Sequence, residues 1–474
     1  MVDLRLGIDV ACRAAHRASL ADERGEFLWS GWRFHTRPED LKRLWEKIPD
    51  DVDVIVVMEP TRNAWVPLAS WLRARGAEVV MVPPEQSADL RDYYNKHTKT
   101  DRLDSRVLAR LPLLHPEGLI REDGSGAADP LKRAVRQRSS LLKRRIAGMQ
   151  RLDAYVELLG PAWAEALGSG EYGKAALAVL ERWGDPRAAK RAGRKRIATR
   201  MIRVSRGGWR EDRADRLLAA ADETLDLWAH GGIDFAELAE DIAAEVRVIQ
   251  SLNVEIANLD ERIEVLYAKA DPDGIVISAP GVGVTSAGGI LGRIGDMNRF
   301  DSLAGVRAFT GMVPKVDQSG LSDNPHRGVT KKGDPGLRQA LFLAADAARK
   351  IDPTLAARYH RLMTTGGKHH VSAVCAVATV LITRIGACWR TEQHYVLRDV
   401  DGRQINETEG RQICTERYQI DPATRAARRT TSQAKTLKRR TSRRKKESTK
   451  AAPASDPSTT KDTDQPSSKL LDMP

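Results

Sequence analysis

The chain has 474 residues, room for two to four domains at about 100–200 residues each. It carries 77 Lys and Arg against 64 Asp and Glu, a net charge of +13, yet Thr424 to Lys450 alone holds +11 and Ala451 to Pro474 holds −2, leaving only +4 for residues 1–423. An apolar share of 41% excludes a wholly disordered polymer, and the concentration of most of the basic excess in the last 51 residues means that total charge is no guide to the folded part. The opening Met1-Val2-Asp3-Leu4-Arg5 lacks the apolar core of a signal peptide, and Val371 to Ile382 falls short of the roughly 20 residues that span a bilayer. A cytoplasmic protein without a membrane partner is expected. Cys12, Cys375, Cys388 and Cys414 are scattered with no zinc spacing, as expected of reduced, mostly buried thiols.

In chain order, Leu4 to Val10, Arg17 to Ala21 and Glu26 to Phe34 read as three short strands, with Glu23-Arg24-Gly25 a tight turn. A helix follows from Pro38, placed in its first turn, to Ile48. Val52 to Met58 reads as a buried strand, Trp65, Leu68 and Leu72 mark a helix, and Ala77 to Val82 is a further strand. Three consecutive strands and then alternating helix and strand predict a RuvC-like, ribonuclease H-like α/β domain over residues 1–125.

Acids fall where that order matters. Asp9 ends the first strand and Glu59 the fourth, so neighbouring strands would bring both to one sheet edge. Asp101 and Asp104, three apart at the start of a helix, share a face. Each acid alone is equally a cap or turn residue. Together, four converging carboxylates repel one another unless cations bridge them, and oxygen donors favour Mg²⁺ or Mn²⁺. A pair of such ions clamps the attacking and leaving oxygens of a phosphodiester.

Residues 126–270 read as a helical, coiled-coil region. Val135, Leu142, Met149 and Val156 repeat every seven within a helix over 131–166, whose basic stretch from Lys132 to Arg145 faces either nucleic acid or solvent. Phe235 to Lys269 is a clearer helix: Ile242, Ile249, Ile256 and Ile263 take heptad position a, and Leu252, Leu259 and Leu266 take d. That pattern suits a homo-dimer or homo-tetramer, or antiparallel pairing with the first helix of the same chain. Between them, about 167–232, lies a small inserted helical module with a basic run from Arg187 to Arg210, read as touching nucleic acid.

Residues 271–400 form a mainly helical C-terminal domain. There Ile277 to Ala287 suggests a helix, the turn Pro280-Gly281-Val282-Gly283, and a second helix from about Thr285, a helix-hairpin-helix whose Gly281 and Gly283 would present N–H groups to a DNA phosphate. Gly311-Met312-Val313-Pro314, Gln318-Ser319-Gly320, Lys332-Gly333 and Leu337-Arg338 follow, the last opening an apolar helix. Val371 to Trp389 reads as a buried closing helix, and His369-His370 as a loop. Residues 401–474 read as a basic, disordered tail.

These motifs, in their order and spacing, resemble the insertion-sequence-110 family of DEDD transposases, related to the Piv invertases and described as bridge-RNA-guided serine recombinases. The resemblance covers about residues 4–115 and 270–395. It implies that Asp9, Glu59, Asp101 and Asp104 are the metal-binding tetrad and that Ser319 is the nucleophile forming a covalent serine–DNA intermediate, with Ser322 close enough to compete. Arg327, Lys331, Lys332 and Arg338 are then candidates to stabilise or anchor phosphate. The implied partners are double-stranded DNA at element ends and target, a structured guide RNA, and further copies of the chain at the bacterial nucleoid. The rivals are a RuvC-like nuclease using water and an inactive nucleic-acid-binding relative.

Overall fold

The computed structural model describes residues 3–82, 101–114, 116, 119–121, 128–168, 172–314, 318–319, 322–323, 328–331, 333–434 and 441. Its main sheet has six strands: β1 (Asp3–Asp9), β2 (His16–Ala21), β3 (Phe27–Phe34), β4 (Asp53–Met58), β5 (Glu78–Met81) and β6 (Ile120–Arg121). Their order is β3-β2-β1-β4-β5-β6, with β1 parallel to β4, β4 parallel to β5, and the other pairs antiparallel.

Alternation along β1 dictates two faces. Leu4, Leu6 and Ile8 turn into a core shared with Leu41 and Leu44 of α1 (Pro38–Trp45) and with Leu68, Ala69 and Leu72 of α2 (Trp65–Arg73). On the opposite face Val57 packs with Val107, Leu108 and Leu111 of α3 (Asp101–Leu114). The result is a helix–sheet–helix sandwich, compatible with a ribonuclease H-like domain. Gly7 sets how close α3 lies: a Cβ there would fall 2.2 Å from the Ser105 carbonyl oxygen and 2.3 Å from the Ala109 nitrogen. The Ser105 hydroxyl, 2.8 Å from that of Ser19, fastens the helix to the strand position opposite Gly7.

The helix expected over 131–166 is divided. It runs as α4 (Ala128–Glu157), breaks at Gly160 with φ 101°, and resumes as α5 (Pro161–Leu167) with proline at its start. Helices α6 (Lys174–Trp183), α7 (Pro186–Ser205) and α8 (Glu211–Leu227) follow, then α9 (Phe235–Ala270). Trp163, Trp183, Ile197, Leu217 and Phe235 share one core with Met149 of α4 and Ile249 of α9, so the expected inserted module is fused to the long helices.

Helix α9 lies antiparallel to α4. Arg145 Nε donates to Asn253 Oδ1 at 2.7 Å, Arg151 Nη2 to Glu245 Oε1 at 2.9 Å, and Arg138 pairs with Asp260. Ile242, Ile249, Ile256, Leu259 and Ile263 are buried within the one chain. Of the two pairings the heptad stripe allows, the structure forms the one within the chain, with Leu252 and Leu266 half-buried. Of the basic stretch, Arg138 and Arg145 bond to α9, while Arg133, Arg136, Lys143 and Arg144 are exposed.

Beyond Ala270 the expected helix-hairpin-helix is not formed as such. Residues 271–283 are turns: Pro272 disfavours helical backbone at Asp271 and so ends α9, and the Asp271 carboxylate accepts from the N–H groups of Ile275 and Val276 at 2.9 Å. Only the second helix, α10 (Val284–Ile294), is present, packed on the start of α4 through Gly288 and Gly292; a Cβ on Gly292 would meet the Lys132 backbone at 2.9 Å. Then come α11 (Leu303–Phe309), the short strands β7 (Gln318–Ser319) and β8 (Ser322–Asp323), α12 (Pro335–Ala348), α13 (Pro353–Met363) and α14 (His370–Thr391). His370 thus opens a helix instead of lying in a loop, its ring 2.9 Å from the Tyr359 hydroxyl.

Contacts divide the chain into two compact units, Met1–Ala344 with Leu381–Val396, and Ala345–Val380 with Leu397–Pro474. Helix α14, at 22 residues, is long and apolar enough by composition to cross a membrane, longer than the apolar run suggested. Ala373, Val374, Val377, Ala378, Leu381 and Ile382 are fully buried, as in a core helix of a folded protein. The tail expected from residue 401 begins folded: α15 (Glu407–Arg417) buries Ile413 and Cys414, and residues 422–434 form a helix, α16.

Candidate active site

Parallel pairing of β1 with β4 ends at Ile8 opposite Met58, so Asp9 and Glu59 follow at the same end of adjacent strands, both half-buried. The outer ends of parallel strands in α/β sheets are where ligands ordinarily bind. Asp104 comes next: it precedes Ser105, which α3 presses onto Gly7, and it is 9% exposed with Oδ1 shielded from solvent. Asp101 is the first residue of α3, and its side chain lies outside the described residues. As hard oxygen donors, Asp9, Glu59 and Asp104 suit Mg²⁺ or Mn²⁺. Among the described residues, however, no three His, Cys, Asp or Glu side chains gather closely enough to hold a metal ion.

The loop after Asp9 is held by a residue that sequence reasoning missed. His16, 4% exposed, receives the Ala11 N–H on Nδ1 at 3.1 Å and meets the Thr36 hydroxyl through Nε2 at 2.8 Å. An acceptor at Nδ1 requires the neutral ring with its proton on Nε2. Burial, and then the nearby His35, pushes the His16 pKa below its ordinary value. The sequence signal was no more than a histidine at a strand start.

Ser319 lies on a β-ribbon in the C-terminal part. Its position in β7 is paired with Ser322 in β8, and its side chain lies outside the described residues. The ribbon's base is closed by a Pro314–Val329 bridge, by Thr330 N–H donating to Val313 O at 2.9 Å, and by Lys331 N–H donating to Gly311 O at 2.9 Å. Gly311 (φ 65°), Lys331 (φ 57°) and Gly333 (φ 127°) make the bends on either side; a Cβ on Gly333 would strike the Phe309 carbonyl at 2.2 Å.

Below the ribbon, Arg293 and Asp334 were also missed. Arg293, its side chain 7% exposed, donates from Nε to Asp334 Oδ1 at 2.7 Å, while the same oxygen accepts from Gly336 N–H at 2.7 Å and Leu337 N–H at 3.0 Å, capping α12. Burial works to raise the Asp334 pKa, but the Leu337 N–H, the Arg293 guanidinium and the Gly336 N–H outweigh it and hold the carboxyl below its ordinary value. Of the expected phosphate anchors, Arg338 spends Nη1 on Gly333 O at 2.8 Å and Lys331 is exposed. Arg327 and Lys332 lie outside the described residues. Gly281 sits at a turn with φ 74°, and Gly283 caps α10 in extended backbone.

The structure therefore brings Asp9 and Glu59 to neighbouring strand ends, docks the helix of Asp104 on the same strand, and sets Ser319 on a separate element. A family model of IS110 DEDD transposases matches residues 6–161, and the model described as "Transposase IS116/IS110/IS902 family" matches residues 273–360, just over half of the chain between them. The "Insertion element IS110 uncharacterized 43.6 kDa protein" of Streptomyces coelicolor is 24% identical, over 85% of this chain and 98% of its own length. The "Insertion element IS116 uncharacterized 44.8 kDa protein" of Streptomyces clavuligerus is also 24% identical, over 81% of this chain and 93% of its own. The "Transposase for insertion sequence element IS1111A" of Coxiella burnetii is 36% identical over 21% of this chain and 29% of its own. The chain belongs to the IS110 family of transposases, enzymes of DNA transposition.

Proposed function

We propose that this transposase excises and inserts its element through Ser319, with Asp9, Glu59, Asp101 and Asp104 as the acidic set that holds Mg²⁺ or Mn²⁺. The observation that supports it best is the β1–β4 register, which sets Asp9 beside Glu59 at the C-terminal ends of two parallel strands. Divalent ions bound there would supply charge neutralisation at the phosphodiester and lower the pKa of an attacking hydroxyl. Ser319 Oγ attacks phosphorus, the Oγ–P bond forms, the P–O bond to one deoxyribose breaks, and the freed sugar hydroxyl takes up a proton. Attack by a hydroxyl of another strand then reverses the exchange and releases the serine, so one phosphodiester replaces another without an external energy source. Lys331 and Arg338 flank the ribbon as phosphate anchors, with Arg327 and Lys332, and the Gly281–Gly283 turn offers backbone N–H groups to the duplex. Two domains share the work, 1–125 carrying the acids and 271–400 the serine. A structured RNA guides the choice of donor and target, and more than one copy of the chain acts at the two DNA ends.

The test is recombination of a plasmid carrying the gene with its flanking DNA. Asp9→Asn and Asp104→Asn are expected to lower product at least about 10³-fold, as is EDTA with the wild-type protein. Full recombination in EDTA would contradict the role given to the acids.

A further inference from the structure

The second compact unit carries an open cavity of about 900 Å³, within the range of roughly 300–1,000 Å³ typical of small-ligand sites. Its walls come from the end of α12, the start of α14, α15 with the segment after it, and α16. Four cations line it, Arg349, Lys350, Arg425 and Arg429, against one acid, Asp346. That acid is engaged by Arg349 Nη2 at 2.6 Å and by Lys350 Nζ at 3.4 Å, so it answers only part of the positive charge. Tyr418 contributes an aromatic ring to the same wall, half-buried and edge-on to His360.

The construction depends on the basic segment at the chain's end. Helix α16 is clamped by Arg428, whose Nε and Nη2 donate to the carbonyls of Met363 and Thr364 at 3.1 and 2.9 Å. Positions 425, 429 and 432, four and three apart, then share the helix face that lines the cavity. A cluster of cations beside an aromatic ring is the chemistry that holds a nucleic-acid strand: cations take the backbone, and the ring stacks a base of any identity. A concave site of this size admits a single nucleotide and excludes a duplex, whose major groove alone is about 12 Å wide.

We propose that this cavity binds an unpaired nucleotide of a nucleic-acid strand, its phosphates held by Arg349, Lys350, Arg425 and Arg429 and its base set against Tyr418. Its lining residues include neither Ser319 nor any of the four acids, and its occupation needs no strand chemistry. The strand is RNA or DNA, since both carry the groups the cavity recognises.

Fluorescence anisotropy of the full-length protein with labelled oligo-U and oligo-dT twelve-mers tests this directly. Lys350→Gln with Arg429→Gln is expected to weaken binding of at least one of the two strands about tenfold or more and to reduce its log–log salt slope by about 1.4, two phosphate contacts at roughly 0.7 each. Tyr418→Ala is expected to weaken the same strand at least about fivefold while leaving duplex binding unchanged. A response confined to oligo-U or to oligo-dT identifies the strand. Unchanged affinity and slope in the double variant, or equal losses for duplex and single strand, would overturn the proposal. Photocrosslinking keeps the question open to test if a variant unfolds: 4-thiouridine or 5-bromodeoxyuridine strands on the wild-type protein should attach to the Tyr418 peptide, and attachment only elsewhere would overturn the site. All readouts are of binding, so failure of the Ser319 chemistry leaves them intact.

Discussion

Single residues set the distances on which the site depends. Gly7 carries no chemistry, yet α3 reaches β1 only because nothing projects there, which fixes where Asp104 begins. The Arg293–Asp334 pair plays a comparable part beneath the serine ribbon, a mostly buried cation balanced by a carboxylate that also caps α12. Asp334→Ala should cost about 3–5 kcal/mol in denaturant unfolding, since it leaves a buried charge without its counter-ion, while Arg338→Ala, a more exposed bond to a backbone carbonyl, should cost about 1 kcal/mol. The carboxyl's pKa is held below its ordinary 3.8, so its contribution is complete above that value and is lost as pH falls through the depressed one. Unfolding midpoints of wild type and Asp334→Ala should therefore converge in strong acid; a gap that stays constant down to the lowest pH would contradict the ion pair's role. Asp9 and Glu59 were legible in the sequence because strand ends are marked by branched runs. Arg293 and Asp334 were not, because a pair 41 residues apart leaves no local pattern.

At the scale of elements, most strands and helices were readable to within a few residues, since hydrophobic period distinguishes them. The partner of each amphipathic face was not. The heptad stripe of α9 fits a second chain as well as α4, and the antiparallel contacts Arg138–Asp260, Arg145–Asn253 and Arg151–Glu245 decide between them. Ile249, fully buried, tests that assignment: Ile249→Ala should lower stability by about 3 kcal/mol, and the substitution should leave the dependence of the unfolding midpoint on protein concentration as it is in the wild type. A concentration-dependent midpoint abolished by the substitution would mean that the stripe is an interface between chains. The turn at 271–283 was misread for a similar reason: the side-chain acceptors that shape it, the Asp271 carboxylate for Ile275 and Val276 N–H and the Tyr267 hydroxyl for Ile277 N–H, leave no hydrophobic period.

For the whole molecule, the sequence places its basic excess at the end and the structure gives the first part of that end a fold. Arg425, Arg428 and Arg429 belong to α16, where one anchors the helix and two line a cavity. Charge counting was blind to this because a basic helix and a basic tail have the same composition. The family assignment rests on the two matched segments, and the proposed chemistry rests on joining the acids of the first to the serine of the second. That join is most directly tested by incubating the full-length protein and Mg²⁺ with DNA carrying the gene's own flanks, quenching in detergent, and sequencing any DNA-linked peptide by mass spectrometry. A phosphodeoxynucleotide adduct on Ser319 is expected, absent in Ser319→Ala and retained in Ser322→Ala. Cleavage that leaves no protein on the DNA, or an adduct that survives Ser319→Ala, would contradict it.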